Sequence, residues 1–522
     1  MRAIGKLKRA ALNAAGKPAL RALARAHLRT LCAGEACQER LFRELRDRLS
    51  GTAAGRDARL DRHATHKEFI RRHPARGYEH YEGYVKRIME GEGNVLYGDR
   101  TEFFLATSGT SGHNSKIVPC NEAQRRLFER CQRRALATLM GAGGGLTLAS
   151  DRFAYGTRAG SETVNGIPKD YVSGIVPHLV PRPLREYVVP TAEALGERDW
   201  GAKAKKIAAE ARGRDVRGIF GVPAHLLHVL RAVASEWGEA SLREAWPRLG
   251  TCVYSGTSVQ PFRRSLDRLA GKELSYFGVY VATEGPLGFE IPGEGRGEAR
   301  MAFLPDMVLY SFEDLNGGRG TPLALDELRE GGEYAVNLGM PNGILHYAIR
   351  DWIKVGRTRP FVQFELMGRI DAALNAATEK TSEAQLARAV HLLQERLDAR
   401  VEQFFAHPGE DETGAPRYEW TFAAEGGGGA EEMAAAIDEA LMEVSADYRE
   451  ARLEARALER PAARIVPAAL AREHFGRRAN GPGQFKMRHA FAGAEEFRAY
   501  CAAQGAEEFA GAGEKSGAGK WA

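Results

Sequence analysis

No apolar run in this 522-residue chain is long enough to cross a bilayer as a helix. Cysteine is scarce, with six residues at 32, 37, 120, 131, 252 and 501. Only Cys32 and Cys37 are near neighbours, and no histidine pair completes a zinc-ligand set with them. Buried or free thiols in a reducing cytosol are therefore expected, with a cytoplasmic location. Several catalytic signatures are missing. The chain has no G-x-S-x-G elbow and no H-E-x-x-H pair, and the glycines at 141–145 lack G-x-G-x-x-G spacing. No Gly-Lys-Ser/Thr closes a Walker loop. Acidic residues are absent from residues 1–34, which hold eight Lys or Arg. Without those eight, the formal charge of +6 becomes −2. This argues against a general nucleic-acid-binding surface, and no nucleic-acid partner is expected.

The basic head itself, residues 1–34, is Ala/Leu-rich and reads as a helix. Leu20, Leu23, Ala24, His27, Leu28 and Leu31 form a rough apolar stripe. It is expected to pack on the main body. The alternatives are an anionic membrane surface, another protein and a transit-type peptide; it lacks the continuous apolar core of a secretory signal.

What is present is concentrated in Thr107-Ser108-Gly109-Thr110-Ser111-Gly112-His113-Asn114-Ser115-Lys116, after a strand-like run Glu102 to Ala106. Glycines let backbone N–H groups converge on one point, and the hydroxyls add donors. The lysine adds a compact positive charge that reaches the same oxygens. Such a loop holds a polyphosphate; the plain alternative is a flexible Ser/Gly surface loop.

Residues 36–92 read as helices with a Tyr-rich turn at Tyr78 to Tyr84. From about 95 to 365 apolar runs alternate with helical stretches. Gly218 to Gly221, Thr251 to Tyr254 and Met307 to Tyr310 read as strands. Ala224 to Ser235 and Glu239 to Trp246 read as helices. The pattern predicts an α/β body with a partly parallel sheet. Composition shifts near Gly368. Beyond it a helix (Glu383 to Leu397), a strand (Tyr418 to Ala423) and a long helix (Glu431 to Ala457) predict a small α+β domain. The expected division is a basic helical segment at 1–34, a large domain at 35–366, a small mobile domain at 367–510 and a disordered tail at 511–522.

Four further segments follow in order: Tyr280-Val281-Ala282-Thr283-Glu284, Tyr347-Ala348-Ile349-Arg350-Asp351, Gly368-Arg369-Ile370-Asp371 with Glu379-Lys380, and Gly483-Gln484-Phe485-Lys486-Met487-Arg488. This order resembles the acyl-adenylate-forming superfamily. More narrowly it resembles the Gretchen Hagen, or auxin-responsive promoter, family of acyl-acid amido synthetases. The ten residues from Thr107 to Lys116, then Ile-Val-Pro, match that family's phosphate loop. Tyr280 to Glu284 matches its Y-A-S-S-E motif, and Gly483 to Arg488 its G-Q-x-K-x-P-R ending without the proline. Gly93 to Leu96, Gly221-Val222-Pro223 and Leu304-Pro305 also fit. The likeness runs from about residue 40 to 495. One departure stands out: the family commonly has Tyr-Arg-x-Gly-Asp where this chain has Tyr347-Ala348-Ile349-Arg350-Asp351. Residues 140–215 show little likeness to the hormone-conjugating members, so their substrates do not carry over. The acyl pocket is expected between residues 140 and 230.

The resemblance implies a large multi-sheet adenylate-forming domain with a small α+β domain. It also implies an ATP- and Mg²⁺-dependent ligase that joins a carboxylic acid to an amine, with an amino acid as the expected acceptor. Ser108, Gly109, Thr110, Ser111 and Lys116 would hold phosphates, together with a nucleotide contact from Ser255 and Gly256. Glu284 would bind Mg²⁺ and Thr283 the α-phosphate. Tyr280 would stack on adenine and Asp351 would accept from the ribose hydroxyls. Lys486 would neutralise the transition state, Arg369 and Asp371 would form a hinge, and Glu379 and Lys380 would be further candidates. A monomer is expected. An acyl-CoA ligase, a carrier-loading enzyme and a nucleotide-binding protein without catalysis remain as alternatives.

Overall fold

The computed structural model describes residues 2–107, 116–142, 145–156, 162–293, 300–317, 320–377, 379–479 and 487–511. The expected tail beyond 511 lies outside them. Among the described residues the strands form three sheets, of eleven, four and three strands. The large sheet changes character along its width. Val188–Val189, Asp151–Ala154, Val216–Gly221, Thr251–Ser255 and Ser275–Val281 run parallel. From Ser275–Val281 onward the pairing is antiparallel through Pro286–Glu290, Met301–Phe303, Gln363–Arg369, Tyr347–Arg357, Glu333–Gly339 and Leu309–Asp314. The parallel strands need crossovers, and the helices Trp200–Ala211, Pro223–Trp237 and Gln260–Ala270 bury apolar faces among them.

The four-stranded sheet carries Thr101–Ala106 between Ile117–Asn121 and Ile167–Asp170, with Glu162–Val164 at the edge. The three-stranded sheet, Arg400–Glu410, Pro416–Glu425 and Ala462–Pro467, packs with the helices Glu383–Leu397 and Ala430–Val444 on a core of its own. Trp420, Tyr418, Phe422, Leu393 and Ile437 are fully buried there. Ser382 starts the first of these helices by accepting from Gln385 N–H, and the Gln385 side chain returns the bond to Ser382 N–H. The last strand of the large sheet ends at Arg369, paired with Asp351. The small core begins at Leu374, which bridges Thr381. Only residues 370–373 join the two along the chain. The units also share apolar packing: Phe405, Met487 and Phe491 lie in one cluster with Leu227 and Phe262 of the large unit.

The N-terminal segment is one helix, Arg2–Cys32, packed along the helix Glu122–Gly141. The apolar stripe faces inward: His27 and Leu31 are buried, and the His27 ring lies 4.8 Å from Phe289. Arg9 reaches the buried Asp151 carboxylate at 3.0 Å.

Some expected elements differ. Glu239 to Trp246 is not helical; Gly238 closes the preceding helix at φ +72°, and Leu242 N–H is spent on Leu269 O instead. Tyr78 to Tyr84 is not a turn but the start of the helix Tyr78–Met89. The helix expected over Glu431 to Ala457 breaks at Ser445 (φ −129°, ψ 113°), whose side chain caps Tyr448 N–H. The strand expected from Met307 starts at Leu309.

Five buried or partly buried histidines bear on stability. Burial lowers His66 to about 3, and His27, His228, His346 and His489 to about 4. In the unfolded chain they protonate near 6.5. Between about pH 6.5 and 4 the unfolded state therefore binds more protons, and stability falls as pH falls. Thermal melts should be level above pH 7 with respect to these groups and drop steadily at pH 6, 5 and 4.5. A melting temperature unchanged from pH 7.5 to 5 would contradict this.

Candidate functional site

The hydroxyl-rich loop is framed by two antiparallel strands, Thr101–Ala106 and Ile117–Asn121. At its mouth Thr107 N–H donates to Lys116 O (2.9 Å) and Lys116 N–H to Thr107 Oγ1 (3.1 Å). Ser108, Gly109, Thr110 and Ser111 lie outside the described residues. The Lys116 ammonium sits 5.4 Å from the centre of the Tyr78 ring, within range of a cation–π attraction. Tyr78 is itself fixed, its hydroxyl accepting from Ile117 N–H (2.9 Å) and donating to Ile117 O (3.0 Å).

Thr283 and Glu284 occupy the tight turn between Ser275–Val281 and Pro286–Glu290. It is closed by Ala282 N–H to Gly285 O (3.0 Å) and the reverse bond (3.2 Å). Thr283 is half-buried and Glu284 is buried. Gln124, in the first turn of its helix, donates to the Glu284 carbonyl. Gly285 packs closely: a Cβ there would meet Met340 Sδ at 2.5 Å and Gln124 Nε2 at 2.8 Å, so both side chains would have to shift. Burial, then the charge of Glu284, pushes the Tyr347 phenol well above its ordinary range. The Glu284 charge also reaches Tyr78 and Tyr280. Three tyrosines thus feel the charge of one carboxylate.

Tyr280 is buried, its ring edge-on to Phe364, and its hydroxyl donates to Asp351 Oδ2 at 2.5 Å. Asp351 stands on the strand Tyr347–Arg357, whose register slips beside it. Ala348 pairs with Asn337 and Asp351 with Val336, so Ile349 and Arg350 form a bulge. Arg350 holds φ +65°, a left-handed conformation that costs a non-glycine residue about 1–2 kcal/mol. The family's glycine stands at this position, and the angle explains it. The Arg350 guanidinium binds Asp371, with Nε 2.8 and 2.9 Å from its two oxygens and Nη2 2.6 Å from Oδ1. Arg369 is a looser partner at 3.7 Å.

The remaining candidates fall elsewhere. Ser255 ends the strand Thr251–Ser255, and Gly256 follows at φ +85°. Glu379 is buried within the small unit, accepting from Ala376 N–H (2.7 Å) and the Tyr418 hydroxyl (2.8 Å). Lys380 is exposed. Lys486 lies outside the described residues; Met487 after it is buried, with Gln403 Nε2 2.8 Å from its sulfur. The motifs did not single out Tyr78 and Gln124. A Tyr-rich segment was the only signal for the first, and nothing local marks the second.

The sequence matches the GH3 family N-terminal domain over residues 28–191 and the GH3 family C-terminal domain over residues 384–494. The chain belongs to the GH3 family. Its fold agrees with that of a GH3.15 acyl acid amido synthetase in complex with 2,4-DB, at a TM-score of 0.75 and 15% identity over 93% of this chain and 96% of that one. A second structure of GH3.15 gives 0.73 and 16% over 91% and 94%. A 2-hydroxyisobutyryl-CoA ligase in the postadenylation state, in complex with R3-HIB-AMP, gives 0.53 and 11% over 94% and 92%. At these identities the likeness is one of fold. Compared by sequence with curated proteins, the chain has no match. Within the GH3 fold, the multi-sheet N-terminal region and the small C-terminal sheet domain are those described above. No described helix is long and apolar enough to cross a membrane.

Lys116 and its Tyr78 platform generate a direct test. ATP with magnesium should raise the melting temperature of the native chain, since a ligand that binds only the folded state stabilises it by mass action. Lys116→Ala should reduce that shift by more than half while leaving the ligand-free melting temperature within about 2 °C, as a surface substitution does. Calorimetry showing no ATP binding by the intact protein would refute the nucleotide site.

Proposed function

We propose that this GH3 protein is an ATP-dependent acid–amine ligase. A carboxylate attacks the α-phosphorus of ATP, releasing pyrophosphate and forming acyl-AMP. An amine, with an amino acid as the expected class, then attacks the acyl carbon and releases AMP. The observation that supports this reading is the pair of contacts that bring the motifs together, Lys116 over Tyr78 and Asp351 held by Tyr280, with the charge of Glu284 felt by both tyrosines and by Tyr347. Lys116, at the mouth of the hydroxyl-rich loop, offers the positive charge, and Glu284 and Asp351 offer the carboxylates that this reaction calls for.

The first half-reaction brings two anions together, so neutralisation and alignment govern its rate. Ser108, Gly109, Thr110, Ser111 and Lys116 hold the outer phosphates. Ser255 and Gly256 add nucleotide contacts. Thr283 donates to the α-phosphate. Asp351 accepts from the ribose hydroxyls, oriented by Tyr280. Lys486 supplies positive charge to the α-phosphate and the attacking carboxylate. The residues fit magnesium of the kind carried by a nucleotide. Glu284 offers one carboxylate, and the described residues contain no group of three acidic, histidine or cysteine side chains for a protein-only cage. When bound, that ion would offset phosphate charge. The small domain pivots at residues 370–373, with Arg369 and Asp371 at the hinge, between half-reactions.

The fold likeness to a CoA ligase keeps a thiol acceptor as a second reading. It shares the first half-reaction, and a product assay with CoA beside a panel of amino acids separates the two. The primary test is pyrophosphate release across a carboxylic-acid library; no release with any acid would reject both readings. Lys486→Ala should slow adenylate formation by about 10²–10³-fold, the scale of one preorganised charge-stabilising group. ATP affinity should barely change, and amide formation from supplied acyl-adenylate should largely persist. Pyrophosphate exchange and single-turnover aminolysis on the same variant report the two steps. Adenylation at the wild-type rate would remove Lys486 from the mechanism.

A further inference from the structure

Asp371 lies in the four-residue link between the units. Before it, Arg369 is still paired in the large sheet. After it, Leu374 already belongs to the small core. A carboxylate in such a link turns with any rotation of the small unit. Here it is gripped from the large unit by Arg350, through Nε to both oxygens and through Nη2. The grip depends on an unusual backbone. Arg350 is the second residue of the bulge and adopts φ +65°, and its side chain reaches Asp371 just past the end of the neighbouring strand. The next residue is Asp351, whose carboxylate carries the Tyr280 bond. One bulge therefore joins the candidate ribose acceptor to the pivot.

We propose that Arg350 is a positioning residue that latches the pivot Asp371, holding the small domain in the orientation of this structure until the pair opens. The role of the latch in catalysis rests on the proposed ligase reaction; the latch itself does not. Arg350 and Asp371 are about half exposed. An ion pair so placed is weak enough to break within a turnover and is screened by salt. It shares the work with other bonds between the units, Arg231 to Glu402, Arg264 to Asp398, and Arg388 to Glu365 at 3.1 Å. Among these, only the Arg350 pair acts on the link. Planarity matters too: lysine offers a point charge and cannot grip both oxygens.

The test uses the full chain with dyes placed at exposed Glu236 and Glu412, one on each unit, read by single-molecule energy transfer. Wild type should show one dominant distance. Arg350→Gly removes the grip and relieves the left-handed backbone, so folding is preserved. It should raise the population of other orientations at least threefold. Asp371→Asn should do the same, and the double variant should do no more than either alone. The charge swap R350D/D371R should restore the wild-type distribution, which a merely structural arginine would not do. Salt at 0.5 M should shift wild type toward the variants and move the variants less, since they retain only the other pairs between the units. An unchanged distance distribution in both single variants, or a swap that fails to restore it, overturns the latch. If the distances shift and no acid supports pyrophosphate exchange, the latch stands and the ligase reading falls. If both hold, the Arg350→Gly variant should change the ratio of amide formation to pyrophosphate exchange at unaltered KM for ATP.

Discussion

The Tyr280 hydroxyl on the Asp351 carboxylate ties together the parts of the large domain that matter for chemistry. Tyr280 lies on the strand where the sheet turns from parallel to antiparallel pairing. Asp351 lies four strands further along the sheet, next to the strand that leaves for the small domain. Burial of the phenol makes the bond costly to lose, since a desolvated hydroxyl without a partner forfeits more than the bond gains. Its presence fixes the Asp351 carboxylate beside the point where Arg369 ends the last strand of the domain.

Around that bond the site is built mainly from backbone geometry. A tight turn presents Thr283 and Glu284, with Gln124 holding the turn from a helix that follows the strand Ile117–Asn121. Movement of the loop strands is thereby felt at Glu284. Tyr78 performs a similar service on the other side, bonded to Ile117 and lying beneath Lys116. These are the long-range contacts by which separate motifs act as one site.

The motifs were legible because each is local: a glycine-and-hydroxyl run, a turn with a buried acid, a strand ending in Asp351. The helix Glu383–Leu397 could be read from its capping box and apolar spacing, and the structure has it at those limits. Elements set by tertiary bonds were not legible. Glu239 to Trp246 has helical spacing, yet Leu242 and Trp246 are anchored individually into the core. Ser445 breaks an apparently continuous helix because its side chain serves as a cap. Within the site, the replacement of glycine by Arg350 read as a departure from the family pattern. Only the backbone angle and the Asp371 contact show what the arginine does. Gln124 could not be found at all, since its partner is 160 residues away.

The bulge at Ile349 and Arg350 also acts as a spacer. Tyr347 and Asp351 are four residues apart along the chain but face Leu338 and Val336, only two apart on the neighbouring strand. The chain is shortened by half over this stretch, so Tyr347 and the partner of Tyr280 stand one pleat repeat apart, about 7 Å, on the same side of the sheet. The bulge takes up the two extra residues, so the side on which Asp351 stands is set by its pairing to Val336 and not by the length of chain between Ala348 and Asp351.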